Sequence, residues 1–176
     1  MLRMGDIVKN IILIGFMGCG KSSVGSKLAR ALHMQFQDTD QLLEESFGCK
    51  ISEFFEKEGE AEFRNRETAL LKQLNEELQN TVLATGGGLP LREENAELLK
   101  KLGTVIYLKA SKETTLKRLH GDTTRPLLAG GDVEEKVERL LEQRIPLYTA
   151  AADLIITTDE KSFYEIINEI EKQCRN

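Results

Sequence analysis

One short motif constrains this chain more than any other feature of its sequence. Residues 15–22 fit the pattern G-x-x-x-x-G-K-S and stand between an apolar run, Ile11–Ile14, and a helical spacing that starts at Ser22. Glycines at these places let backbone N–H groups curl around phosphates, and the helix that follows presents its positive end. Lys21 would then reach the β- and γ-phosphates, and Ser22 would ligate Mg²⁺. The motif predicts a nucleotide-binding strand–loop–helix unit.

Apolar runs alternate with helical patterns along the rest of the chain. Runs at 82–84, 105–108 and 154–156 are typical of buried strands, and a weaker one covers 34–37. The longest helical pattern extends from about Glu60 to Leu78, and capping boxes start two further helices at 132–135 and 162–165. This alternation predicts an α/β fold whose parallel sheet is covered on both faces. Ligands of such folds bind at the carboxyl ends of the strands.

Composition excludes several classes of protein. The 176 residues are 40% hydrophobic and 30% charged, with a net charge of −5, which favours one globular domain and argues against a duplex-DNA-binding module. Three cysteines without a C-x-x-C pair, and only two histidines, exclude a disulfide framework and a Cys/His metal centre. The longest apolar stretch, 11–17, is far shorter than the ~20 residues of a membrane span. No signal peptide is visible, so a cytoplasmic setting is expected.

Two acidic residues follow the second predicted strand. Asp38 and Asp40 stand two apart in what reads as an extended segment, so both would point toward the same end of the sheet. One would hold a Mg²⁺-bound water, and the other would accept a hydrogen bond from a substrate hydroxyl. The alternative is a cap for a helix that begins at Gln41, and one carboxylate can cap while the other binds.

An arginine with carboxylates at helical spacing follows. Glu60, Arg64 and Glu67 share one face of a predicted helix. Carboxylates at these positions would orient the guanidinium to grip an anionic substrate with two hydrogen bonds. A solvated ladder of ion pairs is the alternative.

Three later segments complete the candidate site. Gly86–Gly88 follow the third strand and suit a backbone that approaches a ligand closely, with a flexible turn as the alternative. Segment 120–131 carries Arg125 and predicts a mobile lid over the phosphates, or an exposed loop without a role. Pro146 is predicted to break its helix and to leave Arg144 near the strand ends, where the arginine could also merely complement the helix dipole.

A phosphate loop alone leaves the reaction open. A GTPase switch is disfavoured because the guanine-reading N-K-x-D motif is absent, and a dinucleotide site because Ser23 replaces the last glycine of G-x-G-x-x-G. A nucleotide-binding module without chemistry remains a rival to a small-molecule kinase. The polar loops named above separate the two.

Together the motifs resemble those of the shikimate kinase family. G-F-M-G-C-G-K-S-S-V-G, D-T-D, F-R-N-R-E, G-G-G, R-P-L-L-A and R-I-P-L-Y occur in that order across about residues 10–172. The resemblance implies an α/β three-layer P-loop kinase fold with a five-stranded parallel sheet in the order 2-3-1-4-5. It also implies ATP-dependent phosphorylation of the 3-hydroxyl of shikimate, in the route to chorismate and the aromatic amino acids. A kinase for another hydroxy acid, such as gluconate, is the runner-up.

The same resemblance implies roles for individual residues. The ATP-binding set would be Gly18, Cys19, Gly20, Lys21, Ser22, Ser23, Arg118, Arg125 and Lys161. The substrate-binding set would be Asp40, Arg64, Glu67, Gly86, Gly87, Gly88 and Arg144. Ser22 and Asp38 would serve the metal ion, and the catalytic residues would be Lys21, Asp40 and Arg125. Arg118 and Lys161 would lie on the adenine side, and Arg125 would belong to the lid.

The expected organisation is a single domain over residues 1–176. Its substrate-binding region would cover about 38–67 and its lid about 120–131. Mg²⁺ is the expected cofactor, with ATP and shikimate as partners and neither nucleic acid nor a membrane. A monomer is expected because no apolar surface stripe is left over.

Overall fold

The structure, a computed structural model, describes residues 10–120 and 132–174. The strands are β1 (Asn10–Ile14), β2 (Gln35–Asp38), β3 (Thr81–Ala84), β4 (Gly103–Lys109) and β5 (Leu154–Thr157). The helices are α1 (Lys21–Leu32), α2 (Thr39–Phe47), α3 (Ile51–Glu77), α4 (Glu93–Leu102), α5 (Lys112–Leu119), α6 (Val133–Ala151) and α7 (Phe163–Cys174), with a 3₁₀ turn at Leu89–Leu91. The runs at 11–14, 82–84, 105–108 and 154–156 lie within strands, and the weaker run at 34–37 overlaps β2, which begins one residue later at Gln35.

The five strands of the described residues form one parallel sheet in the order β2-β3-β1-β4-β5. Strand β1 is central, with Ile12 opposite Leu83 of β3 on one side and Val105 of β4 on the other. The predicted α/β class and strand order are confirmed. Because β1 is central, the loop that follows it lies between the loops that follow its two neighbours.

Alternate side chains of β1 enter two separate hydrophobic cores. Ile12 and Ile14 pack in one core with residues of α3, α4 and α6, whereas Ile11 and Leu13 pack in the other with residues of α1 and α7. Burial on both faces explains why the strand is a continuous apolar run rather than an alternating one. No helix in the described part of the chain is long and apolar enough to cross a membrane.

A third, smaller core joins α2 to the first half of α3. Leu43, Phe54 and Phe63 are buried there, and the rings of Phe47 and Phe54 stack with centroids 3.9 Å apart. Helix α3 is interrupted at Gly59, whose φ of 81° and ψ of 170° are not helical. The helix predicted from about Glu60 therefore corresponds to the second half of α3, and the aromatic core holds the two halves together.

Helix α6 corrects one prediction from the sequence. Pro146 does not end its helix, which continues to Ala151. The proline removes one backbone hydrogen bond, but buried residues on both sides of it, Arg144, Tyr148 and Ala151, lie on one face of the helix. Tertiary packing of that face keeps the chain helical on both sides of the proline.

Candidate active site

The loop after β1 has the form expected of a phosphate-binding loop. Three of its glycines, Gly15, Gly18 and Gly20, have positive φ angles of 146°, 75° and 95°. The ammonium group of Lys21, 9% exposed, donates to the carbonyl oxygens of Gly15 at 2.8 Å and Phe16 at 2.9 Å. Lys21 thus braces the curled loop and brings a positive charge to the start of α1.

Ser22 and Asp38 are in direct contact. The hydroxyl of Ser22 donates to Oδ2 of Asp38 at 2.5 Å, which joins the start of α1 to the end of β2. A hydroxyl and a carboxylate oxygen are the hard ligands that Mg²⁺ prefers, and the ion commonly takes few protein ligands beside water and phosphate. The described residues contain no group of three or more His, Cys, Asp or Glu side chains that could hold a metal ion. The pair fits the predicted metal position.

The structure places the two aspartates in different elements, and not in the single extended segment that was predicted. Helix α2 begins at Thr39 rather than Gln41, and its N-cap is Asp38, whose Oδ1 accepts from the backbone N–H of Asp40 at 3.0 Å. Asp40 lies in the first helical turn and is not the cap. The expectation that both carboxylates lie on one extended strand was wrong, because the cap ends β2 immediately and the turn then carries Asp40 toward the cleft.

A cavity of about 440 Å³ adjoins the phosphate loop on the side of β4 and β5. The predicted ATP-binding residues that line it are Gly18, Cys19, Gly20, Ser23, Arg118 and Lys161. Arg118 of α5 donates to the carbonyl oxygen of Gly18 at 3.1 Å. Lys161 pairs with Glu169 at 2.6 Å, and the ring of Phe163 also faces the cavity.

A larger cleft of about 760 Å³ lies on the other side of the loop. It is lined by the whole predicted substrate-binding set, namely Asp40, Arg64, Glu67, Gly86, Gly87, Gly88 and Arg144. These residues come from α2, α3, α6 and the loop after β3. The topology therefore gathers into one cleft side chains that are up to 104 positions apart in the sequence.

Arg64 is held at the cleft by two carboxylates. Its guanidinium contacts Glu67 at 2.7 Å and Glu60 at 3.2 Å. The side chains of Arg64 and Glu67 are only 13% and 1% exposed, against 50% for Glu60. A solvated ion-pair ladder would leave all three exposed, so the alternative reading of this helix face does not hold.

Glu67 is a buried carboxyl group of the cleft whose pKa is raised. Burial raises its pKa to about 7, against the opposing effect of Arg64, and the nearby charge of Asp40 raises it further. Its Oε2 accepts from Arg64, whereas its buried Oε1 has no hydrogen-bond partner. One oxygen atom of this buried group is therefore uncommitted.

Two of the three glycines after β3, Gly86 and Gly88, are closely approached by side chains of the cleft. A Cβ atom on Gly88 would collide with the guanidinium of Arg64, and one on Gly86 would lie 2.6 Å from Oδ1 of Asp40 and 3.1 Å from Oε1 of Glu67. The N–H of Gly86 donates to Oγ1 of Thr39 at 2.9 Å. None of the three has a positive φ, so freedom of the backbone is not what selects glycine here. At Gly86 and Gly88, side chains of the cleft occupy the space that a Cβ atom would need, whereas a Cβ atom on Gly87 would make only ordinary contacts.

Arg144 enters the cleft from α6. Its side chain is buried beside the ring of Phe16, with 5.6 Å between the guanidinium carbon and the ring centroid. One helical turn later, the hydroxyl of Tyr148 donates to the carbonyl oxygen of Gly87 at 2.6 Å. Burial raises the pKa of Tyr148, so this hydroxyl remains a donor at neutral pH.

Sequence reasoning missed two residues that support the cleft. Thr39 lies between the two aspartates, and Tyr148 follows Arg144 by four positions in R-I-P-L-Y. That i, i+4 spacing was the available signal, because it places the two side chains on one helix face. Arg125 and positions 121–131 of the predicted lid lie outside the described residues.

Comparisons with known proteins identify the family. A model described as "Shikimate kinase" matches residues 17–175. The chain belongs to the shikimate kinase family. A shikimate kinase from Thioalkalivibrio sulfidiphilus is 46% identical over 166 residues, which are 94% of this chain and 87% of that protein. The family confirms the predicted activity, a kinase that phosphorylates shikimate in the aromatic pathway.

Solved structures of shikimate kinases have the same fold. The enzyme from Acinetobacter baumannii, in complex with shikimate, superposes with a TM-score of 0.91 at 40% identity, over 96% of this chain and 93% of that one. The enzyme from Aquifex aeolicus gives a TM-score of 0.79 at 37% identity, over 94% and 96% of the two chains. The three-layer P-loop kinase fold predicted from the motifs is confirmed.

Proposed function

We propose that this chain transfers the γ-phosphoryl group of ATP to the 3-hydroxyl of shikimate, giving ADP and shikimate 3-phosphate. The observation that carries the proposal is the 760 Å³ cleft, which brings two arginines and Asp40 together beside the phosphate loop. Shikimate has one carboxylate and three hydroxyl groups. Arginine forks match the carboxylate, and the aspartate and glycine backbone match hydroxyl groups.

On the donor side, backbone N–H groups of residues 18–23 would hold the phosphates, and Lys21 would stabilise charge on the transferring group. The base would lie in the 440 Å³ cavity beside Arg118 and Lys161. Ser22 and Asp38 would hold Mg²⁺, with Asp38 acting through water. The ion would supply positive charge to the β- and γ-phosphate oxygens.

On the acceptor side, Arg64 and Arg144 would bind the substrate carboxylate. Asp40 would orient the attacking hydroxyl and accept its proton, and Gly86–Gly88 would let the ring approach the backbone. Glu67 would fix the direction of the Arg64 guanidinium. Phosphoryl transfer is largely dissociative, so positioning by Asp40 matters more than strong basicity.

The proposal extends to the remaining expectations about the molecule. Arg125 would act from the lid on the transferring phosphate, and the whole chain would work as one domain and one monomer. A cytoplasmic location is supported by three unpaired thiols, Cys19, Cys49 and Cys174.

A coupled assay of ADP release tests the proposal directly. Purified protein with MgATP is given shikimate, gluconate or a nucleoside monophosphate in parallel. Shikimate should be the preferred acceptor by a wide margin in kcat/KM, because its ring holds the carboxylate and the hydroxyl groups in one fixed arrangement, whereas gluconate carries its carboxylate on a flexible chain and a nucleoside monophosphate has none. Comparable or higher kcat/KM with gluconate would overturn the assignment of the acceptor.

A further inference from the structure

The acceptor cleft contains more negative than positive side chains when all of them are ionised. Among the described residues that line it, the carboxylates are Asp38, Asp40, Glu44 and Glu67, and the cations are Lys50, Arg64 and Arg144. Lys50 and Glu44 neutralise each other at 2.8 Å. Four carboxylates against three cations leave the ionised lining with one net negative charge, and a single proton on one carboxyl group makes it neutral, which lowers the repulsion that an anionic substrate meets.

Glu67 is the carboxyl group built to carry that proton. Its side chain is 1% exposed, and its Oε1 is buried without a hydrogen-bond partner, next to the backbone of Gly86. The charged groups that face it are Arg64 on its own helix, Asp40 on α2, and Arg92 just before α4. Burial raises its pKa to about 7 despite both arginines, so the neutral and ionised forms coexist near neutral pH.

We propose that Glu67 takes up a proton when the substrate carboxylate binds, so that affinity for the anionic substrate decreases as the pH rises. The inference rests on the proposed function, since it takes shikimate as the anion. Ionised Glu67 compensates the charge of Arg64 at 2.7 Å and adds a negative charge beside Asp40. Protonated Glu67 leaves that positive charge to the substrate, and the bound anion in turn favours the protonated form.

Calorimetry of shikimate binding to the full chain, without nucleotide, measures the proton directly. Titrations at pH 7 in two buffers of different ionisation enthalpy should show uptake of roughly half a proton per shikimate bound. Uptake should vanish at pH 5, where Glu67 is already protonated. The Kd should be constant below about pH 6 and should rise above pH 7 by at most tenfold per pH unit.

Two variants test whether Glu67 is the group that takes up the proton. Glu67→Gln imitates the protonated carboxyl group, so it should bind shikimate with the low-pH affinity of the wild type at every pH and without proton uptake. Glu60→Gln removes the other carboxylate on Arg64 and should retain both the uptake and the pH dependence. If Glu67 served only as the charged partner of Arg64, Glu67→Gln would instead bind weakly at all pH values.

The outcomes distinguish this inference from the function on which it rests. Shikimate binding with no proton uptake and constant Kd between pH 5 and 9 would overturn the proton linkage and leave the kinase assignment intact. Uptake that persists in Glu67→Gln would show that another group takes up the proton, and would also overturn the inference. No binding of shikimate at any pH would overturn both proposals.

Discussion

Lys21 has two roles in the phosphate loop, since its ammonium group holds the loop in shape and also carries charge for the nucleotide. Because its ammonium group braces the carbonyl oxygens of Gly15 and Phe16, Lys21→Ala removes a charge and loosens the loop. We expect turnover to fall by at least about 100-fold, the range for losing one preorganised charge-stabilising group. The coupled ADP assay checks this. Lys72→Ala, which breaks only an exposed pair with Glu94, is the matched control, and full activity of Lys21→Ala would contradict the role of the loop.

The two arginines of the cleft are expected to require their planar forks. Arg64→Lys or Arg144→Lys keeps the charge but loses bidentate binding, so shikimate affinity should weaken by about 1.5–3 kcal/mol. ATP affinity should remain unchanged, because the 440 Å³ cavity lies on the other side of the loop. Calorimetry with each ligand measures both values.

Arg66→Lys provides the control on the same helix. Arg66 pairs with Glu62 at 2.8 Å, is 57% exposed and does not line the cleft. Its substitution should leave shikimate affinity as in the wild type. Unchanged affinity in both cleft variants would remove the arginines from carboxylate recognition.

Asp40 can be tested without damage to the helix that carries it. Asp38 is the N-cap of α2, so Asp40→Asn keeps the cap, and its effect through the helix dipole is about 0.3–1 kcal/mol. Turnover should fall by about 100-fold or more if Asp40 orients and deprotonates the hydroxyl. Nucleotide binding should persist because the loop after β1 is untouched. A stable and fully active Asp40→Asn enzyme would show that Asp40 is not part of the catalytic machinery.

Among the helices, α3 has the most unusual backbone. Gly59 has φ and ψ angles that are open to glycine almost exclusively, so Gly59→Ala should lower the free energy of unfolding by about 1–3 kcal/mol. Its Cβ would meet nothing within 4 Å, which isolates backbone strain from steric crowding. Urea denaturation measures the change.

Gly48 gives the comparison for α3. It also has a positive φ, 66°, and no neighbour near its Cβ position, but its left-handed helix-cap geometry is accessible to asparagine. Gly48→Asn should therefore cost less than Gly59→Ala. An equal effect of the two substitutions would show that the break in α3 is not strained.

Elements with a single dominant signal were predictable from sequence, and elements decided by packing were not. Strands β1, β3 and β4 follow from apolar runs because both of their faces are largely buried, whereas β5 lies at the edge of the sheet and has an apolar run although Ile155 is 44% exposed. Pro146 misled the prediction because local chemistry disfavours a helix there, while burial of Arg144 and Tyr148 maintains one. The strand order came from the resemblance, since no local pattern encodes which strands pair.

The site also contains features that the sequence predicts and features that packing decides. The phosphate loop was predictable because its chemistry is local, within eight consecutive residues. Spacing put Glu67 on the face of Arg64 but could not show that this face is buried, because burial depends on the glycine loop and on α2. The perturbed pKa of Glu67 is thus a property of three elements together, which no single segment of sequence contains.

The pH dependence of the free energy of unfolding should reflect the ionisation of Glu67, the buried carboxyl group. Between pH 4.5 and about 7 the folded protein binds more protons at Glu67 than the unfolded chain, whose glutamate ionises near 4.5. The contribution of this group to stability is therefore fully present below pH 4.5 and is lost as the pH rises through about 7. Relative to Glu67→Gln, the wild type should lose on the order of 3 kcal/mol over this interval.

Denaturation of the two proteins at several pH values measures that difference. Subtracting one curve from the other cancels the remaining carboxyl groups, including Glu44 and Asp159, whose pKa values are lowered and which act in the opposite sense. A difference that does not change with pH would show that Glu67 ionises normally in the folded protein.

The central place of β1 in the sheet has a consequence for how such enzymes diversify. The loops after β2 and β3, on one flank, supply Asp40 and the glycine run, whereas Arg118 and Lys161, beyond β4 and β5, belong to the other flank. Among the described residues, Arg144 reaches the acceptor cleft along α6, and Met17 reaches it from the loop after β1. We therefore expect that exchange of residues 39–88 would change which alcohol accepts the phosphoryl group and would leave the nucleotide site unchanged. In this architecture the acceptor site and the nucleotide site can evolve independently, because they lie on opposite sides of the phosphate loop after β1.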